Sequence, residues 1–288
     1  MSRLELAPEP SGQEVTSRAA ERIARRRGPL AGLYSGNARS IVARGLLATR
    51  STRWAIVVAG FLEPVLYLLS LGVGLGALVG TVIGPGGQEM SYAAFIAPAL
   101  LATSAMNGAV YDSTWNVFFR MRISKLYRGI LNTSLGPLDV ALGDIFLALL
   151  RGTIYASGFT AVMAMLGLIT SPWAVMMIPA SALIAFGFAS FGMALTSFIK
   201  SFQGLEWISF ITLLLFLFSG TFFPLSVYPE PVQWIIQALP LWQGVELLRQ
   251  LGAGAIGWGL LVHIGYYLVM IVAGLILTTA RLRKLFLS

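Results

Sequence analysis

The 288-residue sequence contains no cysteine, a single histidine and few charged residues. Without cysteine the chain has no disulfide bond, no thiolate metal site and no cysteine nucleophile. Charged residues make up 11% of the chain, whereas soluble domains have about a quarter. The hydrophobic fraction is 57% and the mean hydropathy is +0.78. These values indicate an all-α integral membrane protein with several spans.

Motifs for several common reactions are also missing. His263 is the only histidine and no H-E-x-x-H pattern occurs, so we expect no metal site. The absence of G-x-S-x-G argues against a hydrolase nucleophile elbow. None of the three lysines follows a glycine, so the P-loop that binds nucleotide phosphates is absent as well. If ATP drives this protein, a separate chain must bind the ATP and its magnesium ion.

Six apolar runs are predicted to be transmembrane helices. Of the 20 basic residues, eighteen lie before the first run, in the loops after the second and fourth, or after the sixth. The positive-inside rule places those regions and both termini in the cytoplasm. Because these cations cluster at span ends, the net charge of +8 does not indicate nucleic-acid binding. The predicted spans are residues 54–80, 92–112, 138–166, 173–199, 205–223 and 258–280.

Three regions follow from this layout. Residues 1–29 are polar and are predicted to form a cytoplasmic tail, whose Arg25–Arg27 run lies near anionic lipid. Residues 30–53 mix arginines with aliphatic residues, which predicts an amphipathic helix on the membrane surface. Residues 54–288 form the six-span transmembrane domain.

Residues 116–136, the basic segment, separate the second and third spans. They carry four cations and no acid, so they must face water. Apolar residues alternate irregularly with the cations, so a short helix here would be amphipathic. One interpretation is that a cytoplasmic partner pushes on the membrane domain at this segment. The other is a solvated loop that only sets the topology.

Five ionisable residues lie within or at the ends of the predicted spans, where charge is costly and suggests function. Asp112 and Glu206 lie near cytoplasmic ends and can reach water. Asp144 and Arg151 are seven residues apart on one helix face and could pair with neighbours. Glu63 is the deepest. It either faces a polar conduit or braces the kink at the proline that follows it.

Residues 224–257 are apolar but are interrupted by four prolines. Their two pieces, 232–239 and 241–251, are too short to cross a bilayer, which predicts re-entrant or interfacial helices. Phe222, Phe223 and Pro224 begin this stretch. They would form an outer gate over a pathway, or only an aromatic-rich interfacial cap.

Four segments, residues 63–80, 91–106, 120–144 and 218–251, carry a family resemblance. With them the chain resembles the permease subunit of ABC-2 exporters. It is most similar to the nodulation (NodJ) type, which exports lipo-oligosaccharides, and to daunorubicin-type drug exporters. In residues 218–251, an F-P break precedes short hydrophobic helices and a P-L…L-R pattern, which is characteristic of the family.

The resemblance implies a homodimer that works with two copies of a separate ATPase. The basic segment would be the coupling helix. Arg128 departs from the family, which usually has an acid in this segment. The residues expected to couple to the ATPase are Phe118, Arg120, Arg122, Lys125, Tyr127 and Arg128, and those expected to line the substrate pathway are Glu63, Tyr67 and Asp112.

The resemblance therefore predicts export of an amphipathic glycolipid, a lipo-oligosaccharide or a hydrophobic drug across the bacterial plasma membrane. A proton- or ion-coupled secondary transporter that uses Glu63, Asp112 and Asp144 is the main alternative. A structural membrane scaffold would explain the missing catalytic motifs but not the intramembrane charges.

Overall fold

The computed structural model describes residues 42, 62–123 and 137–286 of the chain. The predicted tail (1–29) and, apart from Val42, the predicted interfacial helix (30–53) lie outside the described residues. So do residues 124–136 of the basic segment.

Within the described residues the protein is built from helices, as predicted for an all-α membrane protein. Five helices are long and apolar enough to cross a bilayer. The fifth predicted span in chain order (205–223) is a 17-residue apolar helix, about 25 Å long and at the lower limit for a span. In chain order the six are α1 (Leu62–Val79), α2 (Tyr92–Ile123), α3 (Pro137–Met165), α4 (Met177–Phe198), the shorter α5 (Phe202–Phe218) and α8 (Trp258–Phe286).

The helix α2 is longer than the predicted span, which ended at Asp112. It continues to Ile123 through two π-helical segments, Asp112–Asn116 and Phe119–Ile123. The cations of the first part of the basic segment therefore extend a long helix rather than begin a loop. The physical reason is that partners on neighbouring helices satisfy these charges, as described below.

A short β-hairpin joins α1 to α2, in the interval between the first two predicted spans. Its strands are β1 (Thr81–Ile83) and β2 (Glu89–Ser91), which pair antiparallel with Val82 opposite Met90. Gly86 in the turn has φ 73°, a backbone conformation that favours glycine. We call the end of the bundle that carries this hairpin the hairpin end, and the opposite end the basic end.

The core lies where α2 and α4 pack together and where α8 crosses α4. Along α2 an almost unbroken run from Phe95 to Thr103 is buried. The helix α8 approaches α4 most closely at Gly274, where an added Cβ would lie 2.6 Å from the backbone carbon of Ser190. Small residues at such crossings allow helices in a membrane to pack by direct backbone approach.

Two short helices fill the stretch between α5 and α8, as predicted. These are α6 (Glu230–Ala238) and α7 (Pro240–Ala253), and each has a proline in its first turn, where the missing N–H costs no hydrogen bond. The helix α7 is largely buried against α2 and α8, whereas α6 exposes large apolar side chains such as Trp234. This stretch therefore enters the bundle with α7 and leaves α6 at its surface.

Candidate functional site

A cavity of about 810 Å³ lies among α1, α2, α3 and α5. One stripe of α2, from Leu100 to Asn116, forms its long wall and extends about 24 Å along the helix. The three predicted pathway residues, Glu63, Tyr67 and Asp112, all line this cavity. The structure thus brings them together, and their part in substrate passage stays a prediction.

The polarity of the cavity changes along its length. Towards the basic end the lining includes Asp112, Asn116 and Arg151, together with Tyr155. Towards the hairpin end it includes Leu100 of α2 and Phe216 of α5. The space is therefore amphipathic: the charged groups of its lining lie towards the basic end, whereas the hairpin end combines Leu100 and Phe216 with the hydroxyls of Thr103 and Ser104.

Two ion pairs join α2 to α3 beside this cavity. An oxygen of Asp112 lies 3.2 Å from a guanidinium nitrogen of Arg151, and Asn116 donates to the other oxygen at 2.8 Å. Nearer the basic end, Arg120 of α2 pairs with the buried Asp144 of α3. The two ion pairs are about two helical turns apart. Each helix contributes one acid and one base, so the four charges cancel.

The predicted coupling residues that the structure describes contact three different helices. Phe118 is only 3% exposed, and its ring lies 5.2 Å from that of Phe202 at the start of α5. Arg120 pairs with α3, and the exposed Arg122 donates to the carbonyl of Ile199 just after α4, at 3.3 Å. These contacts connect the end of α2 to α3, α4 and α5. Because Phe118 is buried, it would influence a partner indirectly, for example through its contact with Phe202 of α5.

The remaining coupling residues, Lys125, Tyr127 and Arg128, lie outside the described residues. The assignment of the basic segment to ATPase coupling stays a prediction.

The strap, residues 219–224, follows α5 at the hairpin end and contains the predicted gate residues. Helix α5 ends here because Gly220 adopts φ 65°, the left-handed conformation that terminates many helices. The ring of Phe222 lies 5.0 Å from that of Phe216, which lines the cavity. Phe223, in contrast, is 53% exposed, and Pro224 leads into the turn Leu225–Val227. Of the predicted gate residues, Phe222 has this direct connection to the cavity.

Arg249 is a residue whose importance the sequence reasoning missed, since it was counted only as a cation outside the cytoplasmic clusters. It lies on α7 with 5% exposure, and its guanidinium carbon is 3.7 Å from the centre of the Phe95 ring. Its guanidinium donates to the carbonyls of Phe95 at 3.1 Å, Gly220 at 2.7 Å and Thr221 at 3.1 Å. Burial lowers the pKa of Arg249 to about 10, so it remains charged at neutral pH. The P-L…L-R pattern was the signal that could have identified it.

The single histidine takes part in a buried polar contact between α7 and α8. His263 Nδ1 is paired with Gln243 Oε1, and the side chain of Gln250 lies 3.5 Å from its Nε2. The indole of Trp242 meets the imidazole edge to face at 5.7 Å. These contacts hold α7 against α8 beneath the strap.

Comparison with known proteins gives one family match that covers most of the chain. Residues 37–252 match the family model described as ABC-2 type transporter. Nodulation protein J of Rhizobium leguminosarum bv. viciae is 33% identical over 245 residues, which is 84% of this chain and 92% of that protein. Nodulation protein J of Rhizobium meliloti (strain 1021) is 32% identical over 247 residues, covering 84% of this chain and 90% of that protein.

Proposed function

The chain belongs to the ABC-2 type transporter family, and from this premise we propose that it is the membrane subunit of an exporter driven by ATP hydrolysis. It is a multi-pass membrane protein. Outward transport is supported by the resemblance to nodulation-type exporters, a type with which the relatives named Nodulation protein J agree. We propose that the protein lies in the bacterial plasma membrane, with the basic end and both termini in the cytoplasm, because eighteen of the 20 cations fall in the sequence segments that the positive-inside rule assigns to that side.

The amphipathic cavity is the observation that carries the proposed substrate class. A substrate with a polar head and an apolar tail would place the head beside Asp112 and Arg151, where hydrogen-bonding groups converge. Its tail would lie against Leu100 and Phe216, where burial of apolar surface is favourable. The proposed cargo is therefore an amphipathic molecule such as a glycolipid, a lipo-oligosaccharide or a hydrophobic drug with a polar group.

The exit from the cavity lies at the hairpin end, beneath the strap. Phe216 belongs to the cavity wall and Phe222 belongs to the strap, and their rings are in contact. Separation of these two rings would open the apolar end of the cavity towards the outside. Phe222 is thus the proposed gate residue, and the exposed Phe223 lies at the outer surface.

The energy would come from a separate ATPase, two copies of which bind ATP and magnesium and dock on the basic segment. Residues 116–123 continue α2 directly, and the Arg120–Asp144 ion pair links that helix end to α3. A displacement of the basic segment would therefore move α2 and α3, which carry the polar end of the cavity. This route gives alternating access a physical connection to the site.

Two copies of the chain would enclose the pathway. Only 17% of the apolar stretch of α1 is buried within one copy, compared with 61% for α2. The exposed helices α1 and α5 both border the cavity. We propose that a second copy covers this side, so that the two cavities face each other in a homodimer.

A secondary transporter is less consistent with the contacts of the carboxylates. That alternative relied on Glu63, Asp112 and Asp144. Two of these three carboxylates are held in ion pairs with Arg151 and Arg120, so each would have to leave its partner before it could bind a coupling ion. Of the three, only Glu63 has no ion pair among the described residues that such binding would break.

A reconstitution experiment tests the proposal. Vesicles that contain the chain and its ATPase would be assayed for movement of a fluorescent amphipathic probe. We expect transport to require ATP and to persist when a protonophore collapses the proton gradient. Transport that ignores ATP and stops with the protonophore would favour the secondary transporter.

A cavity-filling substitution with a matched control locates the pathway. An added Cβ at Gly108 meets no atom within 4 Å, and Gly108 lines the cavity. Gly108→Leu should therefore fill the space without disturbing the fold and lower transport several-fold. Gly265 of α8 offers equally open space but does not line the cavity, so Gly265→Leu should leave transport unchanged. Equal transport by the two variants would exclude this cavity as the pathway.

A further inference from the structure

The strap is held in place from the interior of the protein. We infer that Arg249, assisted by Tyr92, is the positioning residue that keeps Phe222 in contact with Phe216. The inference rests on the proposed function only in taking the strap as the exit gate. Arg249 is not itself among the residues that line the cavity, so on this view it does not touch the substrate and acts through the strap.

Three successive carbonyl groups of the strap accept hydrogen bonds from these two side chains. The guanidinium of Arg249 donates to Gly220 at 2.7 Å and to Thr221 at 3.1 Å. The hydroxyl of Tyr92, at the first residue of α2, donates to Phe222 at 3.3 Å. Because consecutive carbonyls are held, the path of the backbone into Phe222 is fixed in both position and direction.

Arg249 is itself held rigidly. Its Nε donates to the carbonyl of Phe95 and its guanidinium carbon lies 3.7 Å from the centre of the Phe95 ring, a contact in which the aromatic face attracts the cation. The residue therefore connects the first turn of α2 to the strap by way of α7. A planar group with five N–H donors can serve several carbonyls at once, which neither lysine nor an apolar residue can reproduce.

The polar side chains of the strap do not hold it in place. The hydroxyls of Ser219 and Thr221 are buried and have no hydrogen-bond partner among the described residues. Burying an unpaired hydroxyl is unfavourable, and exposure to water would remove that cost. The closed strap thus depends on the backbone contacts to Arg249 and Tyr92, and loss of those contacts should let the strap move outwards into water.

Because the natural chain has no cysteine, a single introduced thiol can report on the position of the strap. Thr221→Cys places that thiol at a fully buried position. In the full-length protein in vesicles, its rate of reaction with a membrane-impermeant maleimide would be measured with and without Arg249→Met. We expect Arg249→Met to raise the rate by at least about tenfold, since hydrogen bonds from a charged donor are lost.

Two further variants should give smaller increases in the labelling rate than Arg249→Met. Tyr92→Phe removes one of the three carbonyl contacts and should raise the labelling rate less than Arg249→Met. Arg249→Lys keeps the charge and some donors, and should fall between Arg249→Met and the natural residue. An identical rate in all four backgrounds would overturn the inference.

A second reporter separates release of the strap from general loosening of the fold. Ser181 of α4 is buried and donates to a carbonyl within its own helix, so Ser181→Cys should stay unreactive in the Arg249→Met background. Labelling of both reporters in that background would show that Arg249 only stabilises the fold, and would also overturn the inference. Transport measured on the same variants tests the proposed function separately. Faster labelling with unchanged transport would support Arg249 as the positioning residue of the strap but would show that the strap is not the exit gate.

Discussion

Arg151→Met should destabilise the protein because it leaves the carboxylate of Asp112 without its cationic partner. The two groups lie 3.2 Å apart, and their side chains are 11% (Asp112) and 29% (Arg151) exposed. Breaking a buried pair by removing one partner costs about 3–5 kcal/mol. The partial exposure of Arg151 places the expected loss near the lower limit, at about 3 kcal/mol in the free energy of unfolding.

A double substitution shows whether this loss comes from the pair. Asp112→Asn with Arg151→Met removes both charges and keeps an amide beside Asn116, so it should recover much of the stability. We expect a coupling energy of about 1–3 kcal/mol between the two positions. The assay is unfolding by sodium dodecyl sulfate in mixed micelles, followed by tryptophan fluorescence.

An exposed arginine provides the control for the same assay. Arg122 is exposed and donates to one carbonyl at 3.3 Å, so Arg122→Met should change the free energy of unfolding by less than about 0.5 kcal/mol. The reasoning fails if Arg151→Met costs no more than this control. It also fails if the two single substitutions at Asp112 and Arg151 simply add up to the double.

Three other predictions address topology, coupling and the gate. A cysteine at Gly86 should react with an impermeant thiol reagent outside intact cells, and one at Lys125 should not; reaction at Lys125 would reverse the topology. Tyr127→Ala with Arg128→Ala should reduce co-purification of the ATPase without unfolding the membrane domain, and normal co-purification with normal coupled ATP turnover would contradict the coupling assignment. Phe222→Ala should change the rate or substrate range of export at matched expression, because it removes the ring packed on the cavity wall, and unchanged export of every substrate tried would make the strap a passive cap.

Much of the architecture could be predicted because hydrophobic length is a local property of the sequence. The runs of apolar residues located the six long helices, and the prolines located the two short ones. The exact extent of α2 could not be predicted in the same way. Counting charges by loop treats Arg120 as solvated, whereas the structure pairs it with Asp144, 24 residues away in the chain. A pairwise contact of this kind leaves no periodic signal in the sequence.

In the candidate site, too, some residues could be recognised from the sequence, whereas others could be recognised only from the tertiary fold. Glu63 and Asp112 stood out because charge within a span is costly, and both line one cavity. The surroundings of Arg249 and Phe118 could not be predicted, because they depend on the tertiary fold. An arginine in a broken apolar stretch could equally face water, and only the packing of α7 under the strap shows that it is buried. Likewise, the burial of Phe118 depends on the position of α5.

The two ion pairs between α2 and α3 also constrain how the protein can enter the membrane. Alone in a bilayer, α2 would carry Asp112 without its counter-ion and α3 would carry Arg151 without its own. A charge at the centre of an inserting helix disfavours insertion by about 2.5–3.5 kcal/mol, which is an upper limit for Asp112 because it lies nearer the end of its span. When α2 and α3 lie side by side, their ion pairs neutralise these charges. The insertion machinery should therefore release the two helices to lipid together, as one helical hairpin. This release would follow the synthesis of residues 124–136 and α3.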